Sequence, residues 1–151
     1  MGILTNFTQG VRGAAPVSIT SATVTLAPDT HAFRPIVLDL AAGIAVTLPA
    51  ATGSGDVYPL YIKTTFTGSS TIKVVGNDVM TGFAELLQDA ADTVVAFETA
   101  ADSDTITFNG TTTGGLLGTQ VVLVDIAADL WAVSVIGAAT GVEATPFSAT
   151  V

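Results

Sequence analysis

Along most of the chain, apolar and polar residues alternate with a period of two. In ATVTLA, Ala22, Val24 and Leu26 share one side and Thr23 and Thr25 the other. Ile36, Leu38 and Leu40 align in RPIVLDL, as do Ile44, Val46 and Leu48 in GIAVTLP and Tyr58, Leu60 and Ile62 in VYPLYIK. This alternation predicts strands with one face in a core and the other in solvent. TIKVVG, TVVAFET and TITFNG predict more of them. Turn-rich clusters separate the runs: ATGSGD, FTGSS, GND, AADSD and Asn109-Gly110. Ala41-Ala42-Gly43 predicts a hairpin turn between its two flanking runs. Pro59 predicts an edge strand or a bulge. From Val79 to Asp92 the helix-like spacing of Phe83, Leu86 and Leu87 competes with a strand. Gly82, costing about 1 kcal/mol in a helix interior, turns the reading to a strand followed by a polar loop.

GTQVVLVDIAADLWAVSVIG, Gly118 to Gly137, is apolar on two sides. Val122, Val124 and Ile126 form one face, and Val121 and Leu123 the other. After the Ala-Ala-Asp turn, Trp131, Val133 and Val135 align. This predicts a hairpin lying between two layers or against a neighbour. Roughly ten short strands at spacings of about 8–12 residues predict an all-β fold: a single antiparallel β-sandwich or barrel, jelly-roll-like. The β domain is read as 19–140. Residues 1–18 read as an extended N-terminal arm and 141–151 as a C-terminal tail. Ile3, Leu4, Phe7 and Val11 in the arm, and Pro146 and Phe147 in the tail, are apolar without a local core. They are candidate contacts to another surface.

Composition strengthens the expectation of interfaces. Of 151 residues, 49% are hydrophobic and 11% charged, against about 25% charged in an average domain. The mean hydropathy is +0.65. A surface of Thr, Ser, Ala and Gly carries few ions to strip of water on contact. Thirteen acidic residues outnumber four basic ones, Arg12, Arg34, Lys63 and Lys73, for a formal charge of −9. Nucleic acid and anionic membranes, which need clustered cations, are therefore not expected partners. Without Cys there is neither a disulfide framework nor a thiolate metal site. MGILTNFTQGVRG lacks the basic start and long apolar run of a signal peptide.

Candidate chemistry is sparse. The one histidine, His31, stands two residues from Asp29 and reads as a surface loop residue rather than half of a catalytic dyad. GSGD at Gly53 precedes a strand, not a helix, and reads as a hairpin loop rather than a phosphate cradle. Asp102 and Asp104 do not fit the twelve-residue Ca²⁺ loop and read as solvated turn carboxylates. Trp131, in phase with core valines, reads as core rather than a sugar-stacking platform. Arg12 and Arg34 are candidates for pairing with a carboxylate of a neighbouring subunit. No catalytic, cofactor-binding or metal-ligating residue is expected, and the chain does not read as an enzyme.

The opening TNFTQGVRG, the middle AVTLPAATGSGDVYPLYI and the long closing segment from Val94 to Gly141 resemble, in order, the segments of tailed-bacteriophage virion proteins. The resemblance is to the capsid decoration (cement) family and covers most of the chain. It implies a β-rich protein on the capsid exterior of the virion, assembled in the host cytoplasm. It implies binding to the major capsid protein, bridging of capsid subunits against internal DNA pressure, and a homo-oligomer, a trimer in preference to a dimer. The alternative it leaves open is a receptor- or glycan-binding head domain of a phage fibre or spike.

Overall fold

The computed structural model describes residues 15–151. The strands are β1 (Val17–Ile19), β2 (Thr23–Thr25), β3 (Ile36–Leu38), β4 (Ala45–Thr47), β5 (Val57–Ile62) and β6 (Ser70–Lys73). They continue with β7 (Val79–Gln88), β8 (Val94–Glu98), β9 (Thr105–Phe108), β10 (Gln120–Ala127), β11 (Leu130–Ala139) and β12 (Phe147–Ser148). One helical turn, α1 (Pro28–His31), starts on a proline, whose missing N–H costs nothing there. The expected all-β class is correct.

The strands form two mixed sheets and no closed barrel. A seven-stranded sheet runs β1-β3-β5-β10-β11-β7-β8, and a five-stranded sheet runs β12-β9-β6-β4-β2. The antiparallel expectation fails for half of the pairings: β1–β3, β3–β5, β2–β4, β4–β6 and β7–β11 are parallel. From β1 to β7 the chain steps from one sheet to the other at every strand, so successive coils stack in parallel. A parallel neighbour needs a long crossover, usually a helix; here the crossover is a strand of the opposite sheet.

Two expected hairpins are corrected on this ground. Ala41-Ala42-Gly43 does turn the chain, but it passes from β3 to β4 in the other sheet. Gly43 has φ +100°, and a Cβ there would sit 2.1 Å from the Ser69 carbonyl oxygen. The ATGSGD segment likewise crosses between sheets, from β4 to β5. Pro59 is also placed differently, in an interior strand flanked by β3 and β10. The β3 ladder begins one residue later, at Leu60, so the donor that proline lacks costs no ladder bond there.

The ambiguous segment from Val79 is a ten-residue strand. Gly82 serves close approach to β11: a Cβ would lie 1.8 Å from the Val133 carbonyl oxygen. The Gly118–Gly137 stretch is a hairpin, β10 with β11, joined at Ala128-Asp129. It fills the middle of the seven-stranded sheet, paired to β5 on one side and β7 on the other. Its inward residues Val121, Leu123, Trp131, Val133 and Val135 join one continuous core fed by both sheets.

Trp131 and Tyr58 are fully buried and meet edge to face, ring centroids 5.7 Å apart. The Tyr58 hydroxyl has no hydrogen-bond partner among the described residues. Burial first, then the nearby Asp56 and Asp125 charges, push its pKa up to about 12. An unpaired buried hydroxyl carries a desolvation cost that phenylalanine would not. Tyr58→Phe is therefore expected to raise the unfolding free energy by about 1 kcal/mol. Trp131→Ala, which empties the same cluster, is expected to lower it by about 3–5 kcal/mol. Urea titration of both variants checks the pair; a Tyr58→Phe protein less stable than the parent would contradict the packing described.

Candidate functional surfaces

The buried carboxylates are all committed to holding loops. Asp125 continues the inward phase of Val121 and Leu123 and sits where the β10–β11 register shifts. Its carboxylate accepts the backbone N–H groups of Thr52, Gly53 and Ser54, the shortest at 2.7 Å, and the hydroxyls of Thr52 and Ser54. Successive N–H groups of this kind form an anion nest. The GSGD loop is thus a cradle whose anion is the protein's own aspartate. Burial works against the Asp125 charge, but the N–H donors of Thr52, Ser54 and Gly53 outweigh it and lower the pKa to about 2. Asp78 accepts the Ala51 N–H at 2.7 Å, anchoring the same loop.

Asp104 does this for the C-terminal segment. It accepts the N–H groups of Thr150 and Val151 at 2.7 and 2.9 Å and the Thr105 hydroxyl at 2.7 Å. Burial opposes its charge, yet these bonds and the Lys73 charge hold its pKa below the usual range. The reading of Asp104 as a solvated turn carboxylate is therefore corrected; Asp102 is exposed as expected. The spacing Asp-x-Asp carries no hint of this, because the donors lie more than forty residues away in sequence.

The other sequence candidates fall as follows. Ile3, Leu4, Phe7, Val11 and Arg12 lie outside the described residues. Arg34 donates to the Ala15 carbonyl from Nε and Nη2, at 3.1 and 2.8 Å, and to the Thr30 carbonyl from Nη1 at 3.1 Å. It clamps the entry to β1 against α1 through backbone oxygens of its own chain. Pro146 and Phe147 are buried; Phe147 begins β12, which pairs with β9. The 141–151 segment thus ends as an edge strand latched by Asp104. His31 is buried, not a surface loop residue, and its Nδ1 accepts the Ala27 N–H at 3.0 Å, closing the turn of α1. Among the described residues no group of three His, Cys, Asp or Glu side chains is placed to hold a metal.

What remains for contact is the outside of the sheets, and the two differ. Across the five-stranded sheet, the register aligns Thr23, Ala45, Thr71 and Thr107 in one row and Thr25, Thr47, Lys73 and Thr105 in the next. The intervening Val24, Val46, Ile72 and Ile106 point to the core. Thr23, Thr25 and Ala45 are exposed, Thr47, Thr71, Lys73 and Thr107 half-buried, and Thr105 is buried, bonded to Asp104 and Thr150. This is a threonine lattice with one cation, Lys73. The outside of the seven-stranded sheet carries more large apolar side chains, Tyr61, Phe83 and Ile136 among those exposed, interspersed with exposed Thr81, Glu85, Glu98 and Gln120. Sequence reasoning found Thr23 and Thr25 as polar strand positions but not the lattice, because the rows join strands more than twenty residues apart.

The nest predicts a pH dependence. Asp125 has a folded-state pKa of about 2, against 3.8 for a free aspartate. The unfolded state takes up its proton first as pH falls, so the stabilisation is complete above pH 4 and lost between about pH 4 and 2. A shift of this size corresponds to about 2 kcal/mol. Asp125→Asn is expected to cost at least this much at pH 7 and to flatten the acid limb of the stability profile. Equilibrium denaturation from pH 7 to 2 measures both; an unchanged acid limb in Asp125→Asn would overturn the assignment. No family model and no curated protein matches this chain.

Proposed function

We propose that the chain is a bacteriophage virion structural protein, a capsid decoration (cement) protein that binds the outer head surface and bridges major capsid subunits. The two sheets act as the layers of a sandwich that presents two contact faces. The observation that carries the reading is the threonine lattice on the five-stranded sheet. It is broad, rigid and nearly free of charge, so it can be dried against another protein without stripping ions of water. Short hydroxyl side chains on β-branched stems lose little rotamer freedom on contact. Many modest contacts, repeated over every copy on a shell, add up without any one of them being strong. The resemblance of the opening, middle and closing segments to tailed-phage virion proteins supports the same reading. Residues 1–18, with Ile3, Leu4, Phe7, Val11 and Arg12, would add a second contact to the head.

The fibre or spike reading has less support. Glycan recognition favours exposed aromatic platforms. Trp131 and Tyr58 lie in the core, which leaves Phe33, Tyr61 and Phe83, on separate elements, as the exposed aromatics for it among the described residues.

Purified protein is expected to co-sediment saturably with mature heads of the matching phage that lack it, and to reduce their bursting on heating. Thr25→Glu, which places a charge on the lattice, is expected to weaken that binding by roughly tenfold or more. Deletion of residues 1–14, which spares the Ala15–Arg34 clamp, is expected to weaken it further while leaving the β domain folded. Absence of binding to heads, with the protein found on tails or fibres, would refute the proposal.

A further inference from the structure

Six of the ten large hydrophobic side chains exposed among the described residues lie on one surface, the outer face of the seven-stranded sheet. They are Tyr61, Phe83, Leu87, Val94, Ile126 and Ile136. Half-buried Val122, Val124 and Ala132 fill the space between them. Exposed Gln120 and Glu85 share the row of Tyr61 and Ile136, and Glu98 stands beside Phe83. A face with this many exposed large hydrophobics still marks an interaction site. We propose that it is the self-association face, buried against the same face of a second copy about a two-fold axis.

Area supports a second copy as the occupant. Five strands, β5, β10, β11, β7 and β8, spaced about 4.8 Å apart, give a width of roughly 24 Å. Eight residues of β10 give a length of about 27 Å. The product, about 650 Å² from each partner, approaches the roughly 800 Å² per partner of a standard stable interface.

Charge selects the direction of the axis. The acids Glu85 on β7 and Glu98 on β8 lie toward one side of the face. The cation Lys63 follows β5 on the other side, sharing its charge with Asp39 at 2.6 Å. Tyr61 and Glu85 stand in the same cross-strand row, through Gln120 and Ile136. An axis parallel to the strands and centred on β11 lays β5 over the second copy's β8 and β10 over its β7 and keeps the rows level, so Lys63 falls on the side of the face that carries Glu85 and Glu98. An axis across the strands would instead stack β7 on β7, acid against acid. The contact is isologous and closes at two copies, which sets it against the trimer that the family resemblance implies.

The inference stands on the sheet face alone and does not need the capsid reading. The test is sedimentation equilibrium of the full chain, with Ile136→Asp and Leu87→Asp on the face and Thr23→Asp on the opposite sheet. Circular dichroism and urea midpoints monitor folding in each. The expected result is a species of twice the 15.2 kDa chain mass, with a dissociation constant raised roughly thirtyfold or more by either face variant and unchanged by Thr23→Asp. If one face variant fails to fold, the other carries the comparison. A monomer at all concentrations, a trimer, or a dimer indifferent to both face variants would each overturn it. A monomer that still saturates heads would refute this inference and leave the head-binding reading standing.

Discussion

The structure depends on the seating of the β10–β11 hairpin. It is hydrogen-bonded on both sides, to β5 at Val57–Tyr61 and to β7 along its whole length. Without it the coiled first half, β1 to β6, would have no connection in the seven-stranded sheet to the β7–β8 pair. Its inward side chains, Val121, Leu123, Trp131, Val133 and Val135, supply the centre of the core. A strand pair with neighbours on both edges has no free ladder groups, so its sequence is free to be apolar on both faces. One face becomes core. The other becomes the more apolar outer surface of a chain with 11% charge.

Buried charge is used to fix loops. Three aspartates, Asp78, Asp104 and Asp125, are nearly inaccessible, and each accepts backbone N–H groups from distant segments. A buried carboxylate is costly unless fully hydrogen-bonded, and Asp125 meets that condition with donors from three consecutive residues. The crossover between sheets and the chain's last residues are thereby held without disulfides. On the reading proposed above, loops fixed this way leave little conformational freedom to lose on docking.

The strands and their faces were legible because alternation is local. Ile36–Leu40, Ile44–Leu48 and the Trp131–Val135 run point where their phase says they should, as do Val24 and Leu26, while Ala22 before β2 is exposed. Partners were not legible. Ile36 pairs with Leu60 and Ala45 with Thr71, and nothing in either run distinguishes a parallel neighbour a full coil away from an antiparallel one across a turn. Turn chemistry misled for the same reason: Gly43 marks a reversal but not the sheet that receives the chain. Asp125 was legible in principle, being a carboxylate in phase with two core aliphatics. Phe147 was not, because a two-residue edge strand has no period. The aliphatic outer face was visible in the sequence as a strand apolar on both sides; the threonine lattice needed the register.

The measurement that tests the account most directly is hydrogen exchange of the chain free and bound to mature heads. The account predicts slowed exchange confined to residues 1–18 and to β2, β4 and β6, the strands that carry the lattice, with β7 and β8 unchanged. Exchange that is identical in the two states, or protection centred on the loops at the sheet ends, would contradict it.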